Sequence, residues 1–343
     1  MGNKINELFK ATPIKIDDLQ NKTLVVDSYN QLYMFLSSIR QSDGGLLTDS
    51  RGNVTSHLSG LFNRFTRLMK HGVNFIFVFD GKAPALKQKE RERRKSIKLQ
   101  AEKQYEAAKE KENLKEMKKY AARTSVLTKE MIDEAKKLII ALGFPVVQAK
   151  GEGEAQAAFL LKQGKGYALL SQDADAFLFG APLVIKNLTI TGKRKQPGVY
   201  SYSIVTPEKI SLTENLSLLN IDQDQLIAAA LLTGTDYDIG GIKGIGPKKA
   251  LALIKQHGKD FDTLFNSVKW NDYFEQPWKE VFNAIKQCEV NEQYELSVSK
   301  LDKNAILELL VQEHDFNKER VEKTLDELNS VQQKPKEDLT KWF

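Results

Sequence analysis

Continuous apolar runs alternate with amphipathic segments along the first half of the chain. Four runs predict buried strands: TLVVD (23–27), VNFIFVFD (73–80), FPVVQA (144–149) and GYALL (166–170). The segments YNQLYMFLSSI, HLSGLFNRFTRLMKHG and EAQAAFLL have the apolar spacing of helices. Strands that alternate with helices are typical of a parallel sheet. We therefore expect an α/β protein with a twisted, mostly parallel sheet and helices on both faces.

Acidic residues follow or end each of these strands. Asp27 and Asp80 end the first two, and the pairs Glu152/Glu154 and Asp173/Asp175 follow the next two. Ligands bind outside the carboxyl ends of parallel strands, where these acids would meet. Carboxylates gathered there repel one another unless cations are present, and they suit Mg²⁺ or Mn²⁺. Any single pair is also explained as a complement to a helix dipole, but convergence from four segments favours a metal site.

Residues 87–119 are strongly basic. The segment holds thirteen Lys or Arg against seven Glu, a net charge of +6 that equals that of the whole chain. Without Pro or Gly and with few large apolar residues, it predicts a poorly buried helix with a thin apolar stripe. One interpretation is a solvated helix with i,i+4 charge pairs. Its position just after Asp80 favours contact with a phosphate backbone.

Residues 224–257 contain a glycine-rich turn between two helical patterns. GIKGIGPKKA places Gly244 and Gly246 before a helix that opens with Pro247, and Lys243, Lys248 and Lys249 surround the turn. Backbone amides at such a turn and the helix N-terminus bind phosphate. We interpret the segment as a helix–hairpin–helix that contacts DNA without sequence preference. The alternative is an ordinary connection between two helices.

The rest of the chain carries weaker patterns. PLVIKNLTITG and VYSYSIV predict two strands around a basic turn, GKRKQPG, which is either a DNA contact or a solvated hairpin tip. The remainder to about residue 330 is predicted to be helical.

Composition restricts the class of protein. The 343 residues are 41% hydrophobic and 28% charged, with a formal net charge of +6 and a sequence pI near 9.0. Metal-binding acids within a basic protein fit a polyanionic substrate. The single Cys288 excludes an internal disulfide and fits a reducing compartment. No apolar run suits a membrane span or a signal peptide. None of the four His lies near the acidic motifs, so no Ser/His/Asp or Cys/His set competes.

The motifs VVDSYNQLY, VFDGKAPALK, GEGEAQAA, SQDADAFLFG and LTGTDYDIGGIKGIGPKKA resemble those of flap endonucleases, the structure-specific 5′ nucleases of replication and repair. The archaeal type is the most similar, and the resemblance covers nearly the whole chain. It implies a nuclease domain over 1–328, in which residues 81–125 form a basic helical arch that a single-stranded 5′ end threads. The helix–hairpin–helix would span residues 224–257 in a C-terminal helical lobe. Residues 329–343 would form a flexible tail.

The resemblance also implies roles for residues at the reaction centre. Lys87 and Arg94 match the arch residues that contact the scissile phosphate. The metal-binding acids would be Asp27, Asp80, Glu152, Glu154, Asp173, Asp175 and Asp236.

Further residues match positions that hold DNA in the family. Tyr33 matches the aromatic on which the base beside the cut stacks, and Arg40 lies near it. Thr55, Arg64 and Arg67 fall in the part that holds duplex and a one-nucleotide 3′ flap. Gly2 matches the mature N-terminus of the family. Gly244 and Gly246 match the hairpin, where the family binds K⁺ through backbone carbonyls. The hairpin also contains the lysines Lys248 and Lys249.

The tail DLTKWF carries three apolar residues that one helical turn would place on one face: Leu339, Trp342 and Phe343. The preceding QQKPKED is too polar to pack and predicts a tether. Aromatic anchors dominate small interfaces, and the resemblance implies a sliding clamp as the partner. Lys336 stands where the family has Gln, which predicts weaker binding. The alternative is that the tail docks on the protein's own core.

We therefore expect a monomeric, membrane-independent 5′ flap endonuclease that uses two Mg²⁺ ions, or Mn²⁺, and has 5′–3′ exonuclease activity. Its expected roles are Okazaki-fragment maturation and long-patch base excision repair, in the nucleoid-associated cytoplasm of an archaeon or in a eukaryotic nucleus. One alternative is a related nuclease of bubbles or gaps, although bubble-cutting relatives have a far longer insert. Another is a non-catalytic DNA scaffold for the sliding clamp, but such a scaffold gains nothing from seven acids facing phosphate.

Overall fold

Five neighbouring strands run parallel in the seven-stranded sheet of the computed structural model of this chain, and two short strands extend one side of it, in the order β1-β9-β6-β5-β2-β3-β4. The structure describes residues 4–332 except 112, 122, 123, 174, 191, 192 and 196–201. Gly2 and the tail residues Leu339, Trp342 and Phe343 lie outside the described residues. The strands of this sheet are β1 Thr12–Pro13, β2 Thr23–Asp27, β3 Asn74–Phe79, β4 Val146–Gln148, β5 Ala168–Leu170, β6 Leu183–Lys186 and β9 Glu208–Ser211.

Successive residues of the central strands face opposite sides of the sheet, and each side packs against helices. Val25, Val78 and Leu169 belong to one apolar core, whereas Leu24 and Val26 belong to the other. Helices therefore cover both faces, and the prediction of a mostly parallel α/β sheet is confirmed. The helices are α1 Ser28–Ser38, α2 Ser56–Lys70, α3 Gln88–Glu110, α4 Leu114–Ala121, α5 Lys129–Ala141, α6 Gly153–Lys162, α7 Leu212–Leu219, α8 Gln223–Thr233, α9 Pro247–His257, α10 Phe261–Ser267, α11 Trp278–Lys286, α12 Lys303–Leu307 and α13 Lys318–Gln332.

The basic insert, residues 81–125, contains two helices rather than the single helix that its composition predicts. α3 ends at Glu110, and α4 begins four residues later and packs against it. Ala101 and Ala108 of α3 and Met117 and Ala121 of α4 are buried. The thin apolar stripe is too narrow to bind the main core but sufficient to join two helices of a hairpin, which explains the break in the segment.

The region after the acidic motifs contains more strands than predicted. β6 lies within the first predicted strand, but the basic segment that we expected to be a turn includes a third strand, β7 (Lys193–Lys195), paired with β8 (Tyr202–Ile204). A fourth strand, β9, returns to the main sheet antiparallel to β6 and pairs with β1. Both β1, at the edge of the sheet, and β9, next to it, are short and lack a long apolar run, so the pattern of the sequence did not identify them.

The C-terminal lobe consists of short helices, and α8 packs against α9 across the glycine-rich turn. The last part of α8, from Leu226 to Thr233, is buried, and this packing fixes the point where the glycine-rich segment begins. Within the described ranges, none of the helices combines the length and apolar content that a membrane crossing requires.

A phenylalanine cluster between α2 and the sheet should carry much of the stability. The Phe65 ring centroid lies 4.9 Å from that of Phe75 and 4.8 Å from that of Phe77, and its side chain is fully buried. We expect Phe65→Ala to lower the free energy of unfolding by about 3–5 kcal/mol, because it leaves a cavity that rigid rings cannot fill. Urea denaturation would show a lower midpoint at an unchanged slope.

Ile140→Ala, on the exposed side of α5, is the matched control for Phe65→Ala. Its side chain is 55% exposed, so its effect on stability should stay within about 0.5 kcal/mol. Equal losses in the two variants would contradict the assignment of the core.

Candidate active site

Asp27 is the last residue of β2 and also the N-cap of α1. One carboxylate oxygen accepts the backbone N–H of Asn30 at 3.0 Å, and the other accepts the Ser171 hydroxyl at 3.2 Å. Capping satisfies an amide at the helix start and fixes the rotamer of the aspartate. The side chain therefore points beyond the carboxyl end of the sheet.

Asp80 follows β3 and ties this strand to the start of α6. Its Oδ1 accepts the backbone N–H of Gly153 at 2.8 Å. Beyond the strand, Gly81 N–H donates to the Gly151 carbonyl at 2.7 Å, so the chain that leads to Glu152 runs beside Asp80. A Cβ on Gly153 would lie 2.3 Å from Asp80 Oδ1, so only glycine allows this contact. The motif GEGEA thus places two glutamates around an aspartate from another strand.

Asp173 and Asp175 lie in the loop after β5, which is adjacent to β2. Leu170 pairs with Val26, so the loop begins beside Asp27. Asp173 N–H donates to the Ser171 hydroxyl oxygen at 3.1 Å, and Asp175 N–H donates to Asp173 Oδ1 at 3.3 Å. The loop folds tightly and keeps both carboxylates at the sheet edge.

Asp236 reaches the same edge from the helical lobe, in the loop after α8. The buried Asp238 holds this loop, since its Oδ1 accepts the N–H of Thr235 at 3.1 Å and also the Thr235 hydroxyl. The position of Asp236 therefore depends on packing between the sheet and the lobe.

The acids influence one another strongly. Burial raises the pKa of Asp27 to about 7, with Asp80 and Asp173 adding to the shift. Burial and Glu152 raise the pKa of Asp80 to about 6. Burial raises the pKa of Glu154 well above its ordinary value, with contributions from Asp173, Asp175 and Asp27. Because they influence one another, these carboxylates form one cluster, to which Asp236 also belongs. Hereafter the acid cluster means Asp27, Asp80, Glu152, Glu154, Asp173, Asp175 and Asp236.

The acid cluster fits hard divalent cations by its chemistry. All its donors are carboxylate oxygens, and Glu154 Oε1 is buried without a hydrogen-bond partner among the described residues. In the described part of the chain, no three His, Cys, Asp or Glu side chains are arranged to hold a metal ion by themselves. Mutual repulsion keeps carboxylates apart unless counter-charges lie between them, and in this structure basic side chains contact them.

Those basic side chains come from the insert. Lys87 Nζ lies 2.6 Å from Glu152 Oε2 and 3.8 Å from Asp236 Oδ2. One terminal nitrogen of Arg94 donates to both Asp236 oxygens at 2.7 and 2.6 Å. Burial acts to lower the pKa of Lys87, but Glu152, Asp236 and Glu154 outweigh burial and raise it, so the ammonium stays charged. The two residues predicted to act in catalysis therefore lie at the acid cluster.

The predicted base-stacking residue, Tyr33, lines a cavity of about 370 Å³ beside the acid cluster, with Asn30, Ser125 and Lys98. Its ring is partly exposed, and Lys98 Nζ lies 4.9 Å from the ring centroid. Arg40 instead donates to the Gly44 carbonyl and the Ser125 hydroxyl, so its guanidinium supports the wall of this cavity.

Thr55, Arg64 and Arg67 are associated with α2, on the face of the sheet opposite α6. Thr55 is buried at the N-cap position. Burial, and then the positive charge of Arg67 one turn along the helix, lower the pKa of Arg64. These residues form a separate basic region rather than part of the acid cluster.

The glycine-rich turn leaves its backbone open. Gly244 has φ +81°, which favours glycine, and a Cβ at Gly244 or Gly246 would meet no atom within 4 Å. Gly246 caps α9, and the adjacent Lys248 and Lys249 are exposed. Among the described residues, no atom excludes a larger side chain at Gly246, so the space above the helix N-terminus is available to a ligand.

Sequence reasoning missed Tyr237 and Lys98. The Tyr237 ring lies under Lys87, with Nζ 4.7 Å from the ring centroid, which makes it a cation–π support for this lysine. Its position directly after Asp236 was the available clue. For Lys98 the clue was its i,i+4 spacing from Arg94, which places both on one face of α3.

Comparison with known proteins shows which proteins this chain is similar to. The sequence profile of the XPG N-terminal domain matches residues 4–101, and that of the XPG I-region matches residues 143–236. The chain is 44% identical to flap endonuclease 1 of Thermofilum pendens over 347 residues, covering 100% of this chain and 99% of the relative. It is also 44% identical to flap endonuclease 1 of Pyrococcus furiosus over 348 residues, with coverage of 100% and 99%.

Solved structures agree with the fold. Flap endonuclease-1 from Methanococcus jannaschii has a TM-score of 0.75 and 38% identity, covering 96% of this chain and 98% of that chain. The catalytic core of Rad2 in complex with DNA substrate has a TM-score of 0.70 at 23% identity, with coverage of 96% and 100%. Fold and site thus define a nuclease that acts on phosphodiester bonds of DNA. Within that class, the chain belongs to the flap endonuclease family, as the sequence predicted.

The raised pKa values predict how the acid cluster affects stability. A carboxyl whose folded pKa is raised contributes stability below its unfolded pKa, and this contribution is lost as the pH rises through the folded pKa. For Asp80 this window runs from 3.8 to about 6. In chelator at pH 7.5, Asp80→Asn should therefore be about 2–3 kcal/mol more stable than the parent, and the gain should shrink toward pH 4.

Urea denaturation of both proteins across this pH range measures the effect. Asp262→Asn, at an exposed aspartate on α10, is the control and should show no comparable pH dependence. A variant no more stable than its parent at pH 7.5 would contradict the electrostatic strain assigned to the acid cluster.

Proposed function

We propose that this protein cleaves 5′ flaps one nucleotide inside the duplex by Mg²⁺-dependent hydrolysis. One observation carries the proposal: Lys87 of the insert pairs with Glu152 and Asp236, and Arg94 pairs with Asp236, at the sheet edge where acids from four segments gather. Acids there suit cations, and basic residues beside them suit a phosphate. The same positions have these residue types in the family that the chain resembles.

Asp27, Asp80, Glu152, Glu154, Asp173, Asp175 and Asp236 would hold two divalent ions, Mg²⁺ or alternatively Mn²⁺. When bound, such ions lower the pKa of water and stabilise charge on the attacking and leaving oxygens. The protein's own contribution includes carboxylates held in place before a ligand binds: Asn30 and Ser171 hold Asp27, and the Gly153 amide holds Asp80. Fixed ligands need little reorganisation during the reaction.

Lys87 and Arg94 would leave their acidic partners and contact the scissile phosphate when DNA enters. Lys87 is well placed for this role, because burial and the Tyr237 ring hold its ammonium in a fixed position. Positive charge there stabilises the phosphorane-like transition state more than the ground state. The arch formed by the insert would admit a single strand and so select a free 5′ end.

Other basic regions would hold duplex DNA. The amides of the hairpin at Gly244 and Gly246, with Lys248 and Lys249, suit a phosphate backbone and a K⁺ ion bound through backbone carbonyls. The cavity beside Tyr33 suits the base next to the cut, and the region of Thr55, Arg64 and Arg67 suits the other arm with its 3′ flap. Gly2 is assigned to DNA contact by the resemblance alone.

The cellular roles follow from this substrate. A nuclease of 5′ flaps serves Okazaki-fragment maturation and long-patch base excision repair, and we propose that it also acts as a 5′–3′ exonuclease. It would work as a monomer at the nucleoid in the cytoplasm of an archaeon. The relatives named above support that setting, since they are archaeal proteins.

Cleavage of end-labelled flap, gap, bubble and nicked DNAs, with Mg²⁺ or chelator, tests the activity. We expect flap DNA to be cut fastest and only with the metal. Asp175→Asn should slow flap cleavage by at least about 100-fold, because a lost metal ligand removes several kcal/mol of transition-state stabilisation. Binding of the flap should stay equal or become tighter, since a negative charge facing phosphate is removed.

Exposed Asp262→Asn serves again as control and should cut at the parental rate. Faster cleavage of bubbles or gaps than of flaps would identify a related nuclease instead. Binding without cleavage of any substrate would favour the scaffold, and Asp175→Asn retaining cleavage within about tenfold would refute its role as a ligand.

We further propose that the tail binds a sliding clamp of the proliferating cell nuclear antigen type through Leu339, Trp342 and Phe343. The support is the spacing of these apolar residues in the sequence, which suits one helical turn with two aromatic anchors. Lys336 in place of Gln would remove one polar contact and weaken the binding.

Replacing Trp342 and Phe343 together by Ala should leave flap cleavage without clamp unchanged to within about twofold and abolish stimulation by the clamp. Lys341→Ala is the matched control and should retain stimulation. Stimulation of the double variant equal to the parent's would refute the tail as the clamp-binding element. A loss of basal activity or of stability would indicate docking on the protein's own core.

A further inference from the structure

Glu90 is a buried carboxylate on the strongly basic helix α3. It is 4% exposed, and glutamate is almost never fully buried unless it is paired. Two arginines of the same helix donate to it: Arg93 through Nε at 2.6 Å and Nη2 at 2.7 Å, and Arg94 through Nε at 2.7 Å. Hydrogen bonds from Arg93 and then Arg94 lower the pKa of Glu90, so it stays ionised.

The two ends of the Arg94 guanidinium have different partners. Its Nε donates to Glu90, whereas its terminal nitrogen donates to both oxygens of Asp236 in the acid cluster. A guanidinium is planar, with its donors in a fixed fork. Once Nε is bound, the direction of the terminal nitrogens is therefore set. The Arg94 side chain is 48% exposed, so without this bond it would be free to turn into solvent.

We propose that Glu90 is a positioning residue for cleavage, which holds Arg94 so that its terminal nitrogens face the acid cluster. The inference rests on the role proposed above for Arg94 at the scissile phosphate. When DNA displaces Asp236 from Arg94, the bond from Nε to Glu90 remains and keeps the guanidinium directed at the phosphate.

Arg93 explains how the negatively charged Glu90 can lie close to a site proposed to bind the phosphates of DNA. It binds both oxygens of Glu90 in a bidentate pair and neutralises its charge locally. Glu90 therefore orients Arg94 with little repulsion of phosphate. The arrangement is a carboxylate between two arginines, of which one supplies charge balance and the other reaches the reaction centre.

Two simpler explanations make different predictions. If Glu90 only stabilised the helix through charge pairs, its loss would lower stability and leave the reaction rate unchanged. If it acted only through its charge, its removal would tighten DNA binding without slowing cleavage. A positioning role predicts slower chemistry with binding equal or tighter, and the effect should disappear when Arg94 is absent.

The test measures single-turnover cleavage of a Mg²⁺-loaded enzyme on a 5′ flap, and the Kd for that flap in Ca²⁺. Glu90→Ala should slow cleavage by about 10–100-fold, the range typical of residues that orient a reacting group. Glu90→Gln should fall between Glu90→Ala and the parent, since its amide oxygen still accepts one N–H. Glu92→Gln is the matched control: Glu92 is exposed on the same helix, accepts from Gln88 at 3.0 Å, and should have no effect.

The same substitutions in an Arg94→Ala background give the decisive comparison. Glu90→Ala should slow that enzyme by less than about twofold, because residues that act as a unit are not additive. If Glu90→Ala slowed the Arg94→Ala enzyme by a further tenfold or more, on the order of a full additive effect, Glu90 would support the whole insert, including Lys87. That result would overturn the proposal.

The remaining outcomes separate this inference from the proposed function. If Arg94→Ala slows cleavage but Glu90→Ala does not, the positioning role is wrong and the role of Arg94 stands. If Arg94→Ala cleaves like the parent, the assigned role of Arg94 is wrong and the inference falls with it. A fall in the thermal midpoint of both Glu90 variants, with parental rates restored at lower temperature, would make Glu90 a structural residue and also overturn the proposal.

Discussion

The buried Asp27 and the half-buried Asp80 and Glu154 lie near one another at the carboxyl edge of the sheet, and their mutual repulsion must be offset by the rest of the fold. Two fully packed apolar cores, one on each face of the sheet, supply the stability that allows this strain. Local hydrogen bonds from backbone amides then fix the carboxylates in place. The site is unfavourable for the isolated chain and favourable for a chain that binds cations and phosphate there, which is how strain and function are commonly linked.

The basic insert is the counterpart of the acid cluster. It carries a net charge of +6 over residues 87–119. Lys87, which precedes its first helix, and Arg94, within that helix, contact acids from two different parts of the protein. One of those acids, Asp236, belongs to the helical lobe, so the insert connects the lobe to the sheet through charge. The acid cluster and its basic partners therefore come from three parts of the chain that are far apart in sequence.

The sheet and its acids could be predicted because each depends on a short stretch of sequence. Continuous apolar runs predicted four neighbouring strands, β2, β3, β4 and β5, and the acids at their ends had to meet once the strands were parallel. The glycine-rich turn and its lysines could be predicted for the same reason, because they also lie within one short stretch of sequence. The short strands β1 and β9 could not be predicted in this way: β1 lacks a long apolar run and pairs only with β9, which is far away in the chain. The break between α3 and α4 depends on packing of one helix against the other, which composition does not reveal.

The sequence by itself predicted the parallel sheet and the six acids at its strand ends, since residue type and spacing encode these features directly. Its resemblance to a known family identified the family and predicted Asp236 and the two basic residues of the insert. Only the tertiary structure decided which partners each side chain has: Asp80 with the amide of Gly153, Lys87 above the Tyr237 ring, Arg40 in the wall of a cavity, and Glu90 between two arginines. The physical reason is that a hydrogen bond or ion pair depends on distance and direction in three dimensions, whereas the sequence specifies only that a donor or acceptor is present.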